Sequence, residues 1–309
     1  MMEGESTSSD AQHRRPGPLL GLGKWTATDQ VASEAVKTAL QLGYRHIDTA
    51  WQYRNGGAIG KGIKESGVPR SEIFLLSTRH TRAEEALEET LEELGTDYLD
   101  LWLMHWPVPL NPEGNDWKLP KLPDGSPDYY TGTSSSPFTF VDTWLLMESA
   151  FRKYPSKVRA IGVSNCSTWH LSQILEAGSV VPAVNQIEIH PQLPQDKVIE
   201  FCRQKNIAVV AYSPLGSPQS TVLTNPKLET LAGSKGNGIG VANLLINWAL
   251  ARGYGVIPKT TSPRRMTDNL KLVDLTEGEM QAIRDVGLSA PKRYCTPAWA
   301  AKGVFLDES

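Results

Sequence analysis

Cysteine is scarce in this chain: Cys166, Cys202 and Cys295 are its three in 309 residues. Few, distant and odd in number, they argue against a disulfide scaffold and for reduced thiols in a cytoplasmic setting. No apolar run reaches the ~18 residues a membrane-spanning helix needs, so no membrane partner is expected. Residues 1–15 are polar, contain acids and lack an apolar core, which reads as a disordered tail and not as a signal peptide or anchor. Excess positive charge is missing too. With a net charge of -3, a pI near 6.1 and no basic, aromatic stripe, nucleic acid is not an expected partner. The six histidines, His13, His46, His80, His105, His170 and His190, show no ligand spacing with cysteine or acid, so no metal site is expected.

The remaining composition, 40% hydrophobic and 21% charged, is that of a globular protein. Short apolar runs alternate with amphipathic stretches of about ten to fifteen residues. Strands are expected at 44–49, 73–78, 99–105, 160–164, 183–189, 208–213, 255–258 and 272–274. Helices are expected at 29–42, 83–94, 140–153, 168–177, 195–205, 239–252, 263–270 and 277–286. Eight strand-helix pairs make the α/β class with a (β/α)8 TIM barrel the expected fold, as one domain over 16–309 that includes a C-terminal substrate loop. The glycines of Leu19-Leu-Gly-Leu-Gly-Lys-Trp25 suggest an N-terminal hairpin or loop. An open doubly wound sheet is disfavoured because no glycine fingerprint follows the first strand. Gly60-Lys-Gly62 and Gly236-Asn-Gly-Ile-Gly240 read as a helix segment and a turn. The irregular segment 108–138 follows a strand and reads as a wall or lid on the barrel's C-terminal face. A loop after Leu215 and the tail with Tyr294, Cys295, Trp299 and Phe305 complete the rim.

Arg45-His-Ile-Asp-Thr-Ala-Trp-Gln-Tyr53 puts an acid at a strand end and a phenol five residues on, so Asp48 and Tyr53 meet over one pocket. A tyrosine with a reference pKa of about 10 donates protons poorly at neutral pH. It needs a cation and a supporting acid beside it. The other strand ends offer Arg79, His105 with Trp106, Ser164 with Asn165, Gln186, Tyr212 with Ser213, and Lys259 with Thr260.

Together with Leu99-Asp-Leu-Trp-Leu-Met-His-Trp-Pro107, Ile161-Gly-Val-Ser-Asn165, Val184-Asn-Gln-Ile-Glu188, Ala211-Tyr-Ser-Pro-Leu-Gly216 and Ile257-Pro-Lys259, these residues resemble the aldo-keto reductases. The likeness spans about residues 20 to 300. It implies hydride transfer from NADPH to a carbonyl carbon, with Tyr53 giving the proton, His105 orienting the oxygen and Asp48 supporting the cation beside the phenol. It further implies that Ser164, Asn165 and Gln186 bond the nicotinamide amide and that Tyr212 stacks on the ring. Ser213, Leu215 and Ser217 line the pyrophosphate channel. Lys259, Thr260 and Arg265 take the 2'-phosphate of NADP, with Asp268 and Asn269 near the adenine. Trp25, Trp51 and Trp106 wall a pocket for a small carbonyl substrate, and Pro112-Glu-Gly-Asn115 with Leu122-Pro-Asp-Gly-Ser126 resembles fungal members acting on aldehydes and polyol-related carbonyls. Asp48 also borders the cofactor. The chain is expected to be a monomer or weak dimer.

Two positions depart from the family pattern. Ser77-Thr78-Arg79 stands where the family has a lysine in a Thr-Lys context, and guanidinium keeps the charge while holding its proton too firmly for a relay. Attenuated or redirected chemistry is expected, and a cofactor-binding protein with a sensor role or a non-standard biosynthetic reaction is the alternative. Gly56-Gly57 follows Asn55 where a glutamate is common, which is expected to loosen the next helix. His105 itself argues against reduction of carbon-carbon double bonds, since the family's variant for that reaction resembles a change to glutamate there.

Overall fold

The computed structural model describes residues 20–23, 28–79, 82–111, 120–133, 135–297 and 304–308. Its strands, numbered in chain order, are β1 (Leu22–Gly23), β2 (His46–Asp48), β3 (Phe74–Arg79), β4 (Leu101–Met104), β5 (Gly132–Thr133), β6 (Ser136–Pro137), β7 (Ile161–Ser164), β8 (Val184–Glu188), β9 (Ala208–Tyr212) and β10 (Gly255–Ile257). The helices are α1 (Asp29–Gln41), α2 (Gly56–Ser66), α3 (Ala83–Leu94), α4 (Phe140–Lys153), α5 (Thr168–Ala177), α6 (Asp196–Gln204), α7 (Pro226–Ser234), α8 (Val241–Ala251), α9 (Pro263–Asn269) and α10 (Glu277–Leu288). Eight strands pair in the order β1-β2-β3-β4-β7-β8-β9-β10. All these pairs are parallel, and parallel bridges Leu20–Val256 and Gly23–Lys259 join β1 to β10. The sheet therefore closes on itself as a (β/α)8 barrel.

The closing strand corrects two expectations. Leu20–Gly23, read as hairpin or loop, is part of the barrel wall, with Gly21 donating to Val256 O at 2.8 Å. Its glycines serve close approach and not a turn: a Cβ on Gly21 would stand 2.7 Å from the His46 ring, and one on Gly23 2.8 Å from Ile257 O. Residues 272–274, read as the last strand, carry no ladder, and Leu272 is 74% exposed. With β1 already seated between β2 and β10, no strand edge remains for them to pair with.

Leu76, Leu101, Leu103, Val184, Val210 and Ile257 fill the barrel interior, while a larger apolar cluster lies under the helices. Local sequence explains the helix ends. α4 starts at a reciprocal Thr139–Asp142 capping box and ends in Arg152 and Lys153. α3 is built of strong helix formers, buries Ala86, Leu87, Thr90, Leu91 and Leu94 on one side, and stops at Gly95 with φ +60. α7 was not anticipated within the loop after Leu215. Its signal is Asn225-Pro226, where the Asn225 side chain accepts from Lys227 N at 3.0 Å.

One ionic cluster ties strands to connecting loops around the start of β4. Asp100, 7% exposed, accepts from Arg70 at 2.9 Å, from Arg159 at 2.7 Å and from Leu75 N at 3.1 Å. Both guanidinium carbons lie 3.9 Å from the ring centre of Tyr98. Arg70 also donates to the carbonyls of Ile73 and Tyr98.

Candidate active site

Asp48 closes β2, and a 3-10 turn over Trp51–Tyr53 begins three residues later. Arg54 ends that turn in the left-handed region (φ 51), with its guanidinium 3.6 Å over the Trp51 ring centre. The turn carries Tyr53 to His105, which follows β4: their ring centres are 6.0 Å apart and the planes meet at 79°. Trp106 lies beside His105 and is met edge-on by Phe305 from the C-terminal segment at 6.1 Å. Trp106, Val108, Leu110 and Val304 form one apolar cluster, so the long loop after β4 and the C-terminal segment do wall this side. Trp25, Trp299 and residues 112–119 of the long loop lie outside the described residues, as does the side chain of Arg79. The backbone sets Arg79 at the end of β3, paired with Met104 directly before His105.

Burial raises the Asp48 carboxyl to about 7, with the bond from Gln186 Nε2 at 2.8 Å pulling it partway back. Burial also raises the Tyr53 phenol far above its ordinary value, and the charges of Asp48 and Cys295 raise it further. These neighbours favour the neutral phenol, so proton donation requires a cation close by. The acid has a consequence for stability. The unfolded chain ionises Asp48 near the ordinary 3.8 while the native chain holds the proton to about 7. The native state thus binds more protons between those values, and the favourable contribution present below pH 4 is lost as pH rises to 7. Asp48→Asn is expected to gain stability on the wild type by ~1–4 kcal/mol between pH 4 and pH 8, the upper end being the full displacement without a neighbouring cation. Urea unfolding midpoints of both proteins at the two pH values measure it.

The expected nicotinamide residues are together. Ser164 Oγ donates to Gln186 O at 2.8 Å, Asn165 Nδ2 to His105 O at 3.0 Å, and the Tyr212 hydroxyl to Asn165 Oδ1 at 2.7 Å. Asn165 (φ +60) and Ser213 (φ +48) are both left-handed at strand ends. Asparagine tolerates that region better than serine, so backbone strain gathers at this rim. Ser213 O accepts from Gly216 N at 2.7 Å and Ser217 O from Ser220 N at 2.7 Å, which folds Leu215 and its neighbours into a compact turn.

At the other end of the expected cofactor path, Lys259 and Arg265 are exposed, and neither enters an ion pair among the described residues. Thr260 is buried and accepts from Ser262 N at 3.1 Å. Two uncommitted cations suit a phosphate dianion, and amide and hydroxyl groups at the strand ends suit a carboxamide; the residues fit a dinucleotide phosphate. Asp268 is held by Lys271 at 2.8 Å, and Asn269 is 5% exposed beside the Tyr44 hydroxyl. Arg264, at 92% side-chain exposure, is a solvated arginine.

A buried acid went unassigned from sequence. Glu188, wholly buried at the end of β8, accepts from His190 at 2.9 Å, Tyr294 N at 2.8 Å and Cys295 N at 2.9 Å, with Arg293 at 3.5 Å. Burial alone would raise its carboxyl, but His190 and the two backbone donors outweigh this and hold it below the ordinary value. Glu188 thereby fastens the C-terminal segment over the barrel mouth. Its signal was a charged residue two positions beyond Gln186, on the same face of the strand Val-Asn-Gln-Ile-Glu. Gly56 and Gly57 lie in the first turn of α2, whose N-cap Asn55 makes no side-chain capping bond. α2 begins at Gly56, where a Cβ would stand 2.9 Å from Glu93 Cβ, and one on Gly60 would stand 2.2 Å from Leu94 O. These glycines let α2 pack close on α3.

Comparison with known proteins shows the family. The profile of the Aldo/keto reductase family matches residues 19–287. The chain is 40% identical over 299 residues to the aldehyde reductase YPR1 of Saccharomyces cerevisiae, covering 93% of each. It is 41% identical over 299 residues to glycerol 2-dehydrogenase (NADP(+)) of the same yeast, again covering 93% of each. With D-galacturonate reductase of Hypocrea jecorina it shares 40% identity over 304 residues, 94% of this chain and 96% of the relative. The aldose reductase of Schistosoma japonicum superposes with a TM-score of 0.84 at 32% identity, covering 96% of this chain and 97% of the other.

Proposed function

The chain belongs to the aldo/keto reductase family and is an NADP-dependent carbonyl reductase, and we propose that Tyr53 is the general acid that turns its aldehyde or ketone substrate into an alcohol. The observation that carries this is the meeting of Tyr53 with His105 at 6.0 Å beside buried Asp48. NADPH supplies the hydride. Ser164, Asn165 and Gln186 hold the carboxamide end, trading bonds they now make with one another, and the half-buried face of Tyr212 supports the ring. Lys259, Thr260 and Arg265 hold the 2'-phosphate end. His105 fixes the carbonyl oxygen within reach of the Tyr53 hydroxyl, and the Trp106, Val304 and Phe305 contacts keep water from that side.

Arg79 is the cation of this set. It ends the strand between those of Asp48 and His105 and stabilises a developing tyrosinate by charge alone, since guanidinium does not pass its proton on. Arg79→Lys is expected to raise kcat by about tenfold or more, within the range attributed to a positioned acid-base group. Stopped-flow reduction of one fixed aldehyde by wild type and variant decides this, and an unchanged or lower kcat would refute the attenuating role.

The substrate class that the relatives' names and this pocket support is a compact aldehyde or sugar-derived carbonyl, galacturonate included. The test is quenching of tryptophan fluorescence by NADPH, followed by NADPH oxidation against a panel of aliphatic and aromatic aldehydes, ketones and uronates. Arg79 also favours a second reading, a cofactor-binding protein with little turnover. Tight NADPH binding with no oxidation across the panel, in wild type and Arg79→Lys alike, selects it.

A further inference from the structure

The segment carrying Arg265 is held in place with little packing. α9 is seven residues long, leaves Arg264, Arg265 and Thr267 in solvent, and buries only Met266 and Asn269. A helix of under two turns is not stable alone, so its position depends on what grips its backbone.

The grip comes from three side chains at most 5% exposed. Tyr44, just before β2, donates its hydroxyl to Met266 O at 3.0 Å. Asn243 and Asn247 stand one turn apart on α8 and so share a face. Asn243 Nδ2 donates to Asp268 O at 2.6 Å, while its Oδ1 accepts from Gly240 N at 3.0 Å. Asn247 Nδ2 donates to Asn243 O at 2.9 Å and to Lys271 O at 3.1 Å, and its Oδ1 accepts from Val273 N at 3.2 Å. Both amides are thus bonded at both ends, and between them they hold the last turn of α9 and the chain that leaves it. An apolar residue at 247 would serve α8 equally well in its buried setting, whereas Asn243 Oδ1 also caps the start of α8 at Gly240 N. Amides there are explained by the carbonyls they reach.

We propose that Asn243 and Asn247, together with Tyr44, are positioning residues for recognition of the 2'-phosphate of the cofactor, setting Arg265 at a fixed distance from Lys259 by gripping the backbone of α9. The inference rests on the reading of Lys259 and Arg265 as the phosphate cations. A flexible α9 would still present a positive charge, but diffusely. The loss would therefore fall hardest on ligands carrying a 2'-phosphate, while those without it feel only the looser hold on Asp268 and Asn269 beside the adenine.

The experiment is calorimetric titration of the full chain with 2',5'-ADP and with 5'-AMP, for wild type, Asn247→Leu, Asn243→Ala and Tyr44→Phe. The expected result is a wild type that prefers 2',5'-ADP, and variants whose Kd for it rises about tenfold while the Kd for 5'-AMP stays within about twofold. Loss of folded protein lowers the number of sites for both ligands and leaves the ratio of Kd values intact, so the ratio isolates positioning from stability. Tyr44→Phe removes a single hydroxyl and keeps the test available if an asparagine variant does not fold. A preserved ratio in the variants overturns the positioning role while the phosphate site stands. A wild type indifferent to the 2'-phosphate overturns both.

Discussion

Tyr53→Phe is expected to lower kcat by about 10²–10⁴ while leaving the Kd for NADPH within a few-fold, because the proposed role of the phenol is to hand a proton to the carbonyl oxygen. The ring is expected to stay in place. Phenylalanine keeps the edge-on contact with His105 at 6.0 Å, and removal of the hydroxyl deletes the proton and little else. A fall of this size corresponds to ~3–5 kcal/mol of transition-state stabilisation. Single-turnover kinetics with a preformed NADPH complex separates chemistry from binding. Retention of more than a tenth of the wild-type rate would remove Tyr53 from the role, and His105 would be the next residue to test. Burial, Asp48 and Cys295 all push the phenol upward, so the same experiment on Arg79→Ala is informative. If the cation at the end of β3 is what makes the phenol usable, that variant approaches the rate of Tyr53→Phe, and combining the two costs little more than either alone.

The second large effect lies away from the chemistry. Asp100→Ala is expected to destabilise the fold by ~2–4 kcal/mol, since it leaves two guanidinium groups and the N–H of Leu75 without their shared acceptor. The figure sits below the ~3–5 kcal/mol of a fully buried pair because the Arg159 side chain retains 41% exposure and is partly solvated. Arg70 keeps its bonds to the carbonyls of Ile73 and Tyr98 and to Thr96, which also limits the loss. Asp100→Asn preserves an acceptor for Leu75 N and is expected to lose about half as much. Urea denaturation of the three proteins checks the order. Equal midpoints for wild type and Asp100→Ala would mean that the cluster is a solvated ornament of the surface.

Most of the elements, and the polar groups that gather at the strand ends, were readable along the chain. Seven of the eight barrel strands were anticipated because each is a short apolar run flanked by amphipathic helix, while α4 and α5 start at capping boxes and α3 and α5 stop at glycine. Asp48, Tyr53, His105, Ser164, Asn165, Gln186 and Tyr212 were legible as a group because a closed parallel barrel brings the C-terminal ends of its strands to one face. The first strand was missed because Leu22 and Gly23 alone are too short for any periodicity, and their glycines mimic a turn. Glycine at 56 and 60 also has a cause no local pattern shows, the close approach of α3 through the Glu93 side chain and the Leu94 carbonyl.

Residue identity and local period thus settled seven of the barrel strands, most of the helices and which polar groups stand at the strand ends. Tertiary structure alone decided the partners: Gln186 on Asp48 across 138 positions, Glu188 on the backbone of Tyr294 and Cys295, and Asn243 and Asn247 on the carbonyls beyond Arg265. The physical reason is that periodicity reports only the side on which a residue is buried. Which carbonyl, acid or N–H meets it there depends on how distant segments pack, and that is set by the closure of the whole barrel.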